Sequence, residues 1–187
     1  MRQLPLALLS LALAPTLLAE GDVAQVFDEQ IKNLENTVVP LAEAMPAGKY
    51  DFAPTQGSFN GVRTFAEQIR HFATVIYLLS GAVTAQKPPV DVGKDDSGPA
   101  SVRTKAQLVE YLRGSLAFAH RAAQTLSQSN LWDEIPSPLG DNKTTRFAAM
   151  SMITWHSNDH YGQMVVYARM NGVIPPSSQP SPPAKQK

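Results

Sequence analysis

No cysteine occurs anywhere in the 187-residue sequence. Disulfides, thiolate metal ligands, iron–sulfur clusters and a cysteine nucleophile are therefore excluded, and any thiol chemistry needs a thiol from another molecule. An excess of charge of one sign is also missing: 16 basic residues balance 16 acidic ones, for a formal net charge of zero. A neutral chain offers no electrostatic footprint to a phosphate backbone or an anionic lipid surface, so no nucleic acid is expected as a partner. Long hydrophobic runs are absent as well. The run of apolar and small residues from Leu6 to Leu13 is too short for a hydrocarbon core of roughly 30 Å, and no stable membrane span is expected. Two catalytic signatures are missing too. There is no Gly-x-Ser-x-Gly elbow, and Ser157 follows His156 where the zinc-protease helix needs glutamate.

What is present begins with a targeting pattern. Arg2 gives a short positive start, Leu6 to Leu13 an apolar centre, and Pro15 to Ala19 a cleavage-like end. Residues 1–19 are therefore expected to be a signal peptide, cut after Ala19 or after Ala14, and the protein to be exported to the periplasm or secreted. Residues 20–176 form one domain, long enough and, with 43% apolar residues in the sequence, apolar enough for a real core. Residues 177–187, rich in proline, serine, glutamine and lysine, are expected to be disordered or extended.

Within the domain the apolar residues recur at helical spacing. Val23, Val26, Phe27, Ile31 and Leu34 mark a first helix, which Pro40 kinks or ends and Met45-Pro46 closes. After a connector rich in glycine, proline and aromatics, Thr64-Phe65-Ala66-Glu67 has the form of a capping box and opens a second helix to about Ala85. The stretch Lys87 to Ala100 reads as a solvated crossover. Thr104-Lys105-Ala106-Gln107 repeats the capping form before a third helix with Leu108, Tyr111, Leu112 and Leu116 on its buried stripe. A fourth helix runs from Thr144 or Thr145 towards Asn171-Gly172, and no segment shows strand periodicity. The fold class is all-α, a four-helix bundle in which the long second connection can carry helix 3 across.

Chemistry concentrates in the four histidines. His156 and His160 are one turn apart on the longest helix, about 40° apart around it, on a face shared with Ala149, Met152, Ile153 and Met164. A pair so placed is either a hydrogen-bonded core pair or two ligands of one metal ion. His71 lies on the inward stripe of the second helix, with Gln68 and Val75. If helices 2 and 4 pack together, one interior point receives three imidazoles, and three neutral nitrogen ligands without a fourth describe a site with an open position. Asp159 either orients a ligand imidazole or is an exposed acid, and Gln163 and Gln68 are further candidates for that orienting role. Glu67 reads as a helix cap and His120 as structural. Tyr50, Phe52 and Phe59 read as loop anchors.

Two blocks carry a family resemblance. Met45-Pro46-Ala47-Gly48-Lys49-Tyr50-Asp51-Phe52-Ala53-Pro54-Thr55, followed by Thr64-Phe65-Ala66-Glu67-Gln68 and His71, forms the first. His156 to His160, then Tyr161-Gly162-Gln163-Met164-Val165-Val166-Tyr167-Ala168-Arg169-Met170-Asn171-Gly172 and Pro175-Pro176, forms the second. Together they resemble the DinB-like (DinB/YfiT) superfamily of metalloenzymes over Val23 to Pro176. The resemblance implies an up-down-down-up bundle and a divalent metal ion (zinc, nickel or iron) held by His71, His156 and His160. It further implies a small-molecule substrate, a low-molecular-weight thiol as co-substrate, and a homodimer. The expected activity is metal-dependent activation of a thiol or water for small-molecule transfer or hydrolysis. The alternative is a non-catalytic exported metal-binding or interaction bundle.

Overall fold

The computed structural model describes residues 22–180. The expected signal peptide lies outside the described residues, as does the tail from residue 181. Four helices dominate: α1 (Val23–Ala44), α2 (Phe65–Thr84), α3 (Lys105–Ala123) and α4 (Arg146–Met170). Each starts where a side chain satisfies the orphan amides of its first turn. Asp22 accepts from the Ala24 amide at 3.0 Å, and Thr145 accepts from the Ala148 amide at 3.1 Å. Both expected capping boxes form: Thr64 with Glu67, and Thr104 with Gln107.

Pro40 does not end α1. Leu41, Ala42 and Met45, just beyond it, are fully buried. At about 1.5–3 kcal/mol for each large apolar side chain, that burial offsets the roughly 3 kcal/mol penalty of an interior proline.

Both α1 and α2 pack against α3 and α4, so α1 and α2 stand on opposite corners of the bundle. The cross-links give the directions. Asp28 and Glu43 of α1 meet His120 and Arg113 of α3, which run antiparallel to them. Thr74 and Tyr77 of α2 meet Tyr111 and Phe118 of α3 in parallel order. Gln68 of α2 meets Gln163 of α4, and the α4 residue Arg146 reaches the Val83 carbonyl, so this pair is antiparallel. The order is up-down-down-up, and the crossover between α2 and α3 makes it possible. The core lies along the bundle axis, with Ile31, Ile69, Phe72, Ile76, Leu112, Leu116 and Ile153 fully buried.

Two loop expectations are corrected and a third is extended. A two-stranded antiparallel hairpin, β1 (Glu134–Pro136) with β2 (Lys143–Thr145), bridges α3 and α4 where no strand was expected. Its strands are three residues long, too short to leave a period-2 signature. The crossover is largely exposed, as expected, and it is anchored as well. Arg70 donates to the carbonyls of Ser97 at 2.9 Å and Val102 at 3.4 Å, and Gly98 turns onto α2 with φ +81°. A Cβ on Gly98 would lie 2.4 Å from Thr74 Oγ1, so only glycine permits this approach. The tail, expected to be unstructured from residue 177, instead opens with a 3-10 turn at Pro176–Ser178. Tyr161 Oη lies 2.6 Å from Ser177 Oγ and Arg169 donates to Ser178 Oγ at 3.0 Å, which hold that turn on α4. Of the loop aromatics, Tyr50 is buried and donates to the Ala42 carbonyl at 2.6 Å, and Phe52 meets Tyr167 edge-on. Phe59 is exposed. No helix among the described residues is long and apolar enough to cross a membrane.

Candidate metal centre

The antiparallel packing of α2 on α4 brings His71, His156 and His160 together, with one ligand-capable nitrogen from each within 4.8 Å of the others. Their rings meet edge-on, with centroids 4.5 to 5.1 Å apart. His71 and His160 are buried, and His156 is half-buried. Burial is the first cause of a lowered pKa at all three, and His156 falls to about 4 and His160 to about 3. Mutual repulsion adds to burial at His156 and His160, because a proton on one imidazole opposes a proton on its neighbour. The cluster is therefore neutral at pH 7, the state in which imidazole binds a metal ion.

Hydrogen bonds settle where the remaining protons are. The backbone carbonyl of Asp96 stands 2.7 Å from His71 Nδ1 and can only accept, so Nδ1 carries the proton and Nε2 is left bare. His160 is set by a longer chain. Exposed Asp159 accepts from Gln163 Nε2 at 3.0 Å, and Gln163 Oε1 accepts from Gln68 Nε2 at 2.8 Å. Gln68 Oε1 then accepts from His160 Nδ1. An ionised carboxylate has no proton to give, so Asp159 imposes one polarity on both amides and again leaves Nε2 of the histidine bare. The two Nε2 atoms of His156 and His160 lie 3.2 Å apart. With metal–nitrogen bonds of about 2.0–2.1 Å, ligand atoms in tetrahedral or octahedral geometry stand roughly 2.8–3.4 Å from each other. The His156–His160 pair has the spacing of two ligands of one divalent ion, with a His71 nitrogen within 4.8 Å of both. His156 Nδ1, alone of the three outer nitrogens, is buried without a partner.

A cavity of about 500 Å³ opens over His71 and His156 and not over His160. Arg63 and Lys94 line it, with Asp95 and Asp96 of the crossover and an apolar wall that includes Val75, Leu78 and Met152. Asp96 Oδ2 is 3.6 Å from His71 Nδ1 and 3.9 Å from the Arg63 guanidinium. Neither Asp96 nor Arg63 is marked by sequence pattern. One lies in a loop and contributes a carbonyl that every residue type has, and the other is simply the residue before a helix cap. His120 is remote from the cluster and bridges α3 to α1 through Asp28 at 2.6 Å and Glu35 at 3.7 Å. Glu67 is consumed by the capping box of α2.

These pKa values predict how the metal-free protein responds to acid. Above pH 6.5 both the folded and the unfolded chain are neutral at the cluster, and its contribution is fully present. Below 6.5 the unfolded chain takes up protons that the folded one refuses until about pH 4 at His156 and about 3 at His160. Stability is therefore expected to fall with pH through this window, by about 1.4 kcal/mol per pH unit for each histidine. Urea unfolding between pH 7.5 and 4.5, beside a His160→Gln variant with a shallower dependence, measures it. Equal slopes in parent and variant would contradict the assignment.

A sequence profile of the DinB superfamily matches residues 30–164. Among solved structures, the chain is similar to a DinB-like protein from Bacillus cereus, with TM-score 0.62, 15% identity, and coverage of 81% of this chain and 95% of that one. A DinB-like protein from Bacillus subtilis gives TM-score 0.57 at 18% identity, covering 87% of this chain and 99% of that one. At these identities the likeness is one of fold. Nothing among curated protein sequences matches the chain. A superfamily profile that spans most of the helical domain, on a bundle whose α2 and α4 converge three histidines, identifies the chain as a member of the DinB superfamily.

Proposed function

We propose that the protein is a metal-dependent enzyme that acts on a small molecule by group transfer or hydrolysis, with His71, His156 and His160 as the metal ligands. One observation carries the reading: His71 and His160, their Nδ1 atoms committed outward, each bring a nitrogen within 4.8 Å of His156, and an open cavity lies over His71 and His156. Zinc, nickel or iron held there would supply a Lewis acid to activate a thiol or water. The chain's own residues do the rest. His71 and His160 are held in one tautomer by Asp96 and Gln68, so neither has to change tautomer to receive the ion, whereas His156, whose Nδ1 has no partner, is not held in this way. Phe72, fully buried and stacked 6.2 Å from the His160 ring, packs against that ligand. The amino-terminal pattern of residues 1–19 supports placing this chemistry outside the cytoplasm.

Cobalt substitution tests the open position. In untagged protein loaded with cobalt(II), a low-molecular-weight thiol or azide is expected to shift the visible ligand-field bands. A spectrum that no thiol or anion moves would make the protein an exported bundle with a closed ion.

A further inference from the structure

The cavity over the cluster is lined by two cations and two carboxylates. Its floor is imidazole and much of its wall is apolar, yet two cations reach it from different segments: Arg63 from the residue before the α2 cap, and Lys94 from the crossover. Neither is fully engaged. Among the described residues the one ion pair of Arg63 is the 3.9 Å contact with Asp96, whose carboxylate also faces His71, and its charge is felt by Glu67 as well, so the guanidinium keeps donors free for a planar acceptor. The carboxylate of Asp95 is turned into its own loop, accepting the Ser97 amide at 2.8 Å. The Arg63 charge also reaches inward, since it disfavours protonation of all three imidazoles. A divalent ion on three neutral ligands would add two more positive charges with no carboxylate ligand to offset them. About 500 Å³ falls within the range of small-molecule sites, roughly 300–1,000 Å³.

We propose that this cavity binds a small organic anion, its carboxylate received by Arg63 with Lys94 beside it, its apolar body against Val75, Leu78 and Met152, and its reacting end at the histidine cluster on the side of His71 and His156. The assignment of the reacting end rests on the metal reading of the cluster. The anion site itself does not.

The test uses a matched pair, 3-mercaptopropanoate and 3-mercaptopropanamide, titrated into the cobalt-loaded full domain and read from the thiolate-to-cobalt absorption. The acid is expected to bind about tenfold or more tightly than the amide, the size of a charge-assisted hydrogen bond. In Arg63→Gln that ratio should fall towards one, and Arg63→Lys should restore part of it. The variants also remove the difference in thiol acidity from the comparison. A ratio unchanged in Arg63→Gln, or an amide that binds as well as the acid in the parent, overturns the proposal. If the parent takes up no cobalt, the metal reading fails, and the anion site is tested separately with butanoate and butanamide on the metal-free protein. Ring-proton shifts of His71 and His156 caused by the acid and not the amide would support it, and equal responses would overturn it.

Discussion

His71→Ala, His156→Ala and His160→Ala are each expected to lose the bound metal, while the untagged parent holds close to one equivalent. Losing only an outer hydrogen-bond partner of a metal ligand typically weakens affinity by about 10–100-fold, so losing the ligand itself should exceed the upper end of that range. The three variants should differ in what else they disturb. His156 is half-buried at the cavity floor, where water can fill the space an alanine leaves, so its variant should keep the parent's stability most nearly. His160 is buried against Phe72 and accounts for one end of the Gln68 chain, so His160→Ala leaves both a void and an unmatched amide oxygen. Elemental mass spectrometry, paired with far-ultraviolet circular dichroism, separates metal loss from unfolding. Metal retained by all three variants, or none in the parent after reconstitution, would make the cluster a hydrogen-bonded core feature.

The helices were legible in the sequence because their signals are local. Two capping boxes and the Asn171-Gly172 stop are each read within a few residues, and the structure ends its helices within a residue or two of them. Pro40 left open whether α1 bends or stops there, and α1 runs on to the Met45 cap, because the proline penalty is local while the compensating burial of Leu41 and Met45 comes from partners distant in sequence. The hairpin escaped for the same reason: it exists because the Ile135 segment docks beside the bundle, not because of periodicity.

At the site, the histidines could be found because a four-residue spacing on an apolar face is itself a geometric statement. Gln68, Gln163 and Asp159 could be named as candidates from their faces, but the order in which they link is tertiary. Gln68 and Gln163 lie 95 residues apart in sequence and meet only because α2 runs against α4. Asp96 and Arg63 were not legible. A carbonyl acceptor carries no residue identity, and the crossover's composition reads as a wet loop until Arg70 and Gly98 are seen to fasten it to α2.

That hydrogen-bond chain leads to the second large effect. Gln68 is 2% exposed and donates to Gln163 while accepting from His160. Gln68→Leu is close in volume but removes both links, so the His160 ring is no longer held in its tautomer and Gln163 Oε1 loses its donor. Metal affinity is expected to drop by about 10–100-fold, with about 1–3 kcal/mol of stability lost from the unmatched polar groups. The effect should decline outward along the chain. Gln163→Leu leaves Gln68 Oε1 in place but frees its orientation, and Asp159→Asn keeps an acceptor while removing the charge that imposes the polarity. The expected order of loss is Gln68, then Gln163, then Asp159, the last below about tenfold because an exposed charge is screened by water. Competition titrations of zinc against a chromophoric chelator measure all three on one scale. If Gln68→Leu binds zinc as tightly as the parent with its helix content intact, the amide chain is a packing feature and does not prepare His160 for the ion. If Asp159→Asn instead has the largest effect, the carboxylate acts by its charge on the ion directly, and the polarity imposed through the two amides is not what matters.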